Sequence, residues 1–158
     1  MYSWIVKKLR THISASHSPD VLAISFVIGN YIAFSPYLGL HSIEVIIFSW
    51  LLNLNMPLTF FAAYGINNPW TVLPIYTADY MVGYWFVHSC LKLDTLKWNP
   101  VWLDQFIHHI EGQFNVTCPC IWSFLIGGNL LGIGTSIVLY PVMKYLFKSW
   151  INEDIGNK

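Results

Sequence analysis

The chain has 158 residues, with eight basic and eight acidic side chains, a hydrophobic fraction of 55% and a charged fraction of only 10%. A mean hydropathy of +0.50 and 17% aromatic residues are too apolar for an ordinary soluble domain, and a formal charge of zero leaves no sustained basic surface for nucleic acid. The lipid bilayer is therefore the expected partner. The length suits one domain, expected to comprise an N-terminal segment over 1–17, a single membrane domain over 18–148 and a polar C-terminal tail over 149–158.

At the start of the chain, Trp4, Ile5 and Val6 precede Lys7, Lys8 and Arg10. This reverses the charged-then-apolar order of a cleavable signal, so the segment reads as a retained cytoplasmic or interfacial stretch. Ser18-Pro19-Asp20 then places a capping side chain before a proline at the first helical position and opens an apolar run from Val21 to Phe34. Ser35-Pro36-Tyr37-Leu38-Gly39 breaks that run. A second run, Ile43 to Leu52, ends at Asn53-Leu54-Asn55-Met56-Pro57. A third, Leu58 to Ile66, ends at Asn67-Asn68-Pro69-Trp70-Thr71, and Asn68-Pro69 reads as the start of the next helix.

At about 1.5 Å per residue, runs of about 10 to 14 residues reach only about 15–21 Å, well short of the ~30 Å hydrocarbon core. They suit half-helices or re-entrant hairpins. Lipid cannot satisfy backbone groups freed at such breaks, so the breaks must be buried in protein or line a wet cavity. Val72 to Leu91 is long enough to cross. Asn99-Pro100 opens an amphipathic helix near 99–111, with Trp98, Trp102, Phe106, Ile110 and Phe114 on one side and Asp104, Gln105, His108, His109 and Glu111 on the other. Ile121 to Phe147 either crosses or folds back at its glycines, Gly127-Gly128 and Gly132-Ile133-Gly134. Basic residues flank the blocks at Lys7, Lys8 and Arg10, at Lys92 and Lys97, and at Lys144 and Lys148. Three hairpins would put all of these on the cytoplasmic side; a single crossing by the last block would put the final pair outside.

Ser25-Phe26-Val27-Ile28-Gly29 is faintly echoed by Ser123-Phe124-Leu125-Ile126-Gly127; such five-residue echoes arise by chance in apolar chains, and the alternative is the paired halves of transporters. The overall expectation is an all-α, polytopic integral membrane protein with broken or re-entrant helices.

Candidate sites follow from polar groups at the breaks and at membrane depth. Asn67, Asn68, Thr71 and Tyr76 form a candidate anion or solute site, because open N–H groups at a helix start attract carboxylate or phosphate groups; capping of a tight turn is the plainer alternative. Asp79, His41 and Glu44 form a candidate ion or proton site. Asp79 lies mid-run, where a carboxylate costs about 2.5–3.5 kcal/mol on insertion scales, and Tyr76 and Gly83 share its helical face. Glu44 and His41 follow the first break, where Glu44 also complements a helix N-terminus. Cys118-Pro119-Cys120 lacks the usual two-residue gap and the adjacent histidines His108 and His109 face different ways, so no metal is expected. No nucleophile-elbow, phosphate-loop or dinucleotide motif occurs, so neither an enzyme nor a bound cofactor is expected.

The ordered set Ala23-Ile24-Ser25-Phe26-Val27-Ile28-Gly29, Pro36-Tyr37-Leu38-Gly39-Leu40-His41, Asn55-Met56-Pro57, Asn68-Pro69-Trp70-Thr71, Pro74-Ile75-Tyr76 and Tyr80-Met81-Val82-Gly83 resembles the bacterial membrane family called domain of unknown function twenty sixty-two. The resemblance covers residues 19 to about 147. It implies a multi-pass protein of the bacterial inner membrane and brings no catalytic residue; Glu44 and Asp79 lie outside its pattern. The leading functional expectation is a small transporter-like protein for an anionic solute or lipid headgroup. The alternative is a noncatalytic accessory or scaffold subunit that meets a membrane-protein partner or its own copy through aromatic surfaces.

Overall fold

A computed structural model describes residues 18–37, 39–90 and 121–156. The expectations for the N-terminal segment, the 99–111 helix, Lys92, Lys97, Cys118 and Cys120 lie outside the described residues. Within them the structure is all-helical: α1 (Pro19–Phe34), α2 (His41–Leu51), α3 (Met56–Ile66), α4 (Val72–Trp85), which runs on into a π-helical turn (Phe86–Cys90), and α5 (Ile121–Gly156).

The helix boundaries have local causes. Ser18 Oγ accepts the Val21 N–H at 3.4 Å and Pro19 occupies the first turn of α1, where its missing donor is harmless. Ser35, preceding a proline, is extended at ψ 129° and ends the helix. Gly39, at φ 82°, turns the chain toward α2 in a conformation that side chains with a Cβ rarely adopt. Asn53, at φ 51°, closes α2 while the Leu54 N–H reaches back to the Ser49 carbonyl at 3.0 Å. Asn55 Oδ1 accepts the Leu58 N–H at 3.0 Å to cap α3.

The first three helices form a compact group. α1 and α2 run in opposite directions, with Tyr31 edge-on to Phe48 and Ser35 bonded to Glu44. α1 and α3 run in the same direction: Ser25 meets Asn55, Gly29 meets Thr59 and Ala62, and Ala33 meets Asn67. α5 lies antiparallel along α1, from the Asp20–Lys144 ion pair at 2.6 Å through Asn30 with Thr135 and Ser136 to Tyr31 with Asn129. α4 crosses α5 at Gly83 and Gly127.

α5 is one uninterrupted helix, so the fold-back at Gly127-Gly128 does not occur, and the helix continues through residues 149–156. The glycines serve packing instead. A Cβ on Gly127 would strike the Asp79 backbone, and one on Gly128 would lie 2.6 Å from the Phe34 carbonyl oxygen. Neighbouring helices thus hold the chain helical through residues that would weaken an isolated helix.

The interior mixes aliphatic side chains such as Leu22, Ile32 and Val45 with many small and polar ones, and the exterior carries many large apolar side chains. Ser25, Asn30, Ser35, Ser49, Asn55, Thr59, Asp79, Ser123 and Ser136 are buried beside Ala23, Ala33, Ala62 and Ala63, whereas Trp70 is 91% exposed and Trp50 81%. On α3 alone, Thr59, Ala62 and Ala63 face in while Phe60, Phe61 and Tyr64 face out. Packing through small residues and interhelical hydrogen bonds joins the helices where they approach most closely. Among the described residues one helix, over Trp122–Asn152, is long and apolar enough to cross a bilayer.

Candidate functional site

The two chain breaks meet at the carboxyl end of α1. Ser35, fully buried, is the junction. Its hydroxyl donates to Glu44 Oε1 at 2.9 Å, and His41 Nε2 lies 3.2 Å from its carbonyl oxygen. A carbonyl can only accept, so His41 carries a proton on Nε2 and turns Nδ1 away from Ser35. Glu44 Oε2 is buried without a partner.

The second break is tied to the same point. Asn67 Nδ2 donates to the Ala33 carbonyl at 2.9 Å and lies 3.5 Å from the Tyr76 hydroxyl. His41, Asn67 and Tyr76, three candidates from separate segments, thereby line one pocket of about 240 Å³ with Gly39, Ala63 and Tyr64. Tyr64 shares a 2.6 Å hydrogen bond with Ser42, and Tyr76 stands edge-on to Phe124 at 5.2 Å. The α2 N-terminus opens at this pocket: its cap position, Leu40, supplies no side-chain acceptor.

Asn68 and Thr71 take another course. Asn68 Oδ1 accepts the Trp70 and Thr71 N–H groups at 2.9 and 3.1 Å, and its own N–H donates to Thr71 Oγ1 at 3.0 Å. The Thr71 hydroxyl also reaches the Ile66 and Asn68 carbonyls. Both side chains close their own turn, and α4 begins at Val72 rather than directly at Pro69. An asparagine that folds onto the next two N–H groups builds a turn before the helix can start.

Asp79 is separate from the pocket lining. Completely inaccessible, it sits at the α4–α5 crossing, and neither carboxylate oxygen has a hydrogen-bond partner. Tyr76, placed on its helical face by the sequence, is directed toward Asn67 instead. Gly83 admits the Ser123 backbone at a distance no Cβ would tolerate. Ser123 Oγ is likewise buried and unpartnered. Ser35, Tyr64 and Ser123 were not singled out by sequence reasoning, although the Ser25/Ser123 echo and the Ser35-Pro36 break were their traces. Among the described residues no group of three or more His, Cys, Asp or Glu gathers as a metal site.

Over residues 3–155 the chain matches DUF2062, the family described as an uncharacterized protein conserved in bacteria. The chain belongs to this family. The DUF2062 match extends beyond both ends of the stretch whose motifs carry the resemblance, and it takes in both breaks and the α4–α5 crossing. No curated protein and no solved structure matches the chain. For this DUF2062 protein, the chemistry must therefore be argued from its own side chains.

Proposed function

We propose that the chain is a multi-pass protein of the bacterial inner membrane that binds, and passes across the membrane, a small solute or lipid headgroup bearing phosphate or carboxylate oxygens. The observation that carries this reading is the convergence of His41, Tyr64, Asn67 and Tyr76 on one pocket at the meeting of two helix breaks. The Tyr76 hydroxyl, which accepts from Asn67, keeps its own proton to donate there, and the first N–H groups of α2 add partial positive charge with no side chain capping them. Broken helices that present their ends to a site between them are how membrane transporters hold solutes without a water-filled channel. The many large apolar side chains on the exterior support burial of that surface in lipid.

Ala63→Cys and Asn67→Cys, each in a cysteine-free background, test the pocket. In detergent and in vesicles both should react with a water-soluble maleimide, and glycerol phosphate, inorganic phosphate or phosphatidylglycerol should slow the reaction. Protection by the lipid alone identifies a headgroup; protection by the soluble anions identifies a free solute. A pocket that neither reagent nor anion reaches would favour the scaffold reading, in which the breaks are dry packing surfaces.

A further inference from the structure

The space beside Gly128 brings a main-chain carbonyl and a carboxyl group together. The position a Cβ would take on Gly128 is 2.6 Å from the Phe34 carbonyl oxygen and 3.6 Å from Asp79 Cγ. The last turn of α1, with its partial negative charge, therefore faces the Asp79 carboxyl group. Both Asp79 oxygens lack a partner, as does Ser123 Oγ at the same helix crossing, and both residues are fully buried. Leaving a carboxylate unpaired in such surroundings is among the most expensive arrangements in a folded protein.

We infer that Asp79 and the carbonyl end of α1 form a binding site for a small monovalent cation of the sodium class, with the Ser123 hydroxyl as a further oxygen at the crossing. One carboxylate balances one positive charge; a divalent ion would leave a net buried charge, and among the described residues no group of acidic side chains gathers there to offset it. A proton on Asp79 would satisfy one carboxyl oxygen and one neighbouring acceptor, whereas a hard cation takes several oxygens at once. Carbonyls at the ends of interrupted helices are suitable ligands for such ions.

The inference deepens the solute-binding reading, because the two sites are adjacent in sequence. Phe34 would contact the cation, and Ser35, the next residue, holds His41 and Glu44 beside the pocket. Cation binding and solute binding thus act on the same end of α1.

The test is thermal unfolding of the full chain in detergent, in sodium chloride and in choline chloride of equal ionic strength, together with direct binding of radioactive sodium to the wild type. Sodium should raise the melting temperature saturably, as any ligand of the native state does, and the isotope should bind at a matching concentration. Asp79→Asn should lose the sodium response while melting in choline no lower than wild type. Ser123→Ala should weaken the apparent sodium affinity several-fold. His41→Ala should keep the sodium response, which separates failure of this site from failure of the solute pocket. Equal melting in both salts with no isotope binding would overturn the inference. A stabilisation that follows pH, ignores sodium and disappears in Asp79→Asn would overturn it in favour of a proton. Should Asp79→Asn not fold, the wild-type isotope measurement and Ser123→Ala decide the matter.

Discussion

The sequence echo Ser25-Phe26-Val27-Ile28-Gly29 and Ser123-Phe124-Leu125-Ile126-Gly127 corresponds to two helix crossings of the same construction and opposite polar outcome. In each, a buried serine stands four residues before a glycine that lets another helix come into backbone contact: Gly29 against Thr59 and Ala62 of α3, Gly127 against Asp79 and Gly83 of α4. At the first crossing the polar groups are satisfied. Ser25 Oγ donates to the Val21 carbonyl at 2.7 Å and accepts the Asn55 N–H at 2.8 Å. At the second, Ser123 Oγ and both Asp79 oxygens have no partner. The same small-residue spacing therefore makes a closed structural joint in one place and a joint with unspent polar capacity in the other. Shape was repeated; hydrogen bonding was not.

The sharpest way to break the comparison is to remove the close approach itself. Gly127→Val would drive a side chain into the Asp79 backbone, which cannot yield as a flexible side chain can, and should cost more than about 3 kcal/mol, the upper end of overpacking. Unfolding in graded denaturing detergent would measure it, and an unchanged midpoint would refute the geometry of the crossing. Gly29→Val should be of the same order, since a Cβ there would lie 2.5 Å from the Thr59 carbonyl oxygen.

Serine removal sharpens the comparison by sign. Ser25→Ala leaves the buried Asn55 N–H without its acceptor and should cost about 1–3 kcal/mol. Ser123→Ala deletes a hydroxyl that has no partner and, measured without sodium, should be neutral or slightly stabilising. Equal losses in the two variants would mean that the Ser123 hydroxyl is satisfied in solution. A smaller effect, in the opposite direction, is expected at Gly134, where a Cβ would meet nothing within 4 Å: Gly134→Ala should stabilise by about 0.5–1 kcal/mol, the usual helix-propensity gain. The smallest change should come from Lys144→Met, because the Asp20–Lys144 pair is 46–52% exposed and such pairs contribute little; its melting shift should fall below that of Ser25→Ala.

Local grammar carried most of the helix starts and breaks. Ser18 caps as its position before Pro19 implies, and Ser35-Pro36 ends α1 where the extended pre-proline residue must, whereas Asn55, read only as the end of the second run, proves to cap α3. The continuity of α5 was not legible, because a glycine that weakens a lone helix and a glycine that admits a neighbour look alike until the neighbour is known. Pro141, inside the same helix, is a similar case. His41, Glu44, Asn67 and Tyr76 could be selected as polar groups at breaks, but their convergence depends on α1 and α3 running side by side in one direction, a relation that no local pattern encodes. Asn68 and Thr71 had two readings in sequence, and only the hydrogen bonds identify the groups their side chains meet.

The order of synthesis gives the long helix a further role. At 16 residues α1 extends about 24 Å, and at 11 residues each α2 and α3 extend about 16 Å, all below the ~30 Å that a translocon rewards with lateral release. The span that does meet that length, Trp122–Asn152, leaves the ribosome after all of them. Ser25 with Asn55, Gly29 with Thr59 and Asn67 with the Ala33 carbonyl join the early helices to one another, whereas Asn30 and Tyr31 of α1 find Thr135, Ser136 and Asn129 only when α5 arrives. The last helix to be made therefore completes the hydrogen bonding of the first, closing the ends of the chain on each other through Asp20 and Lys144.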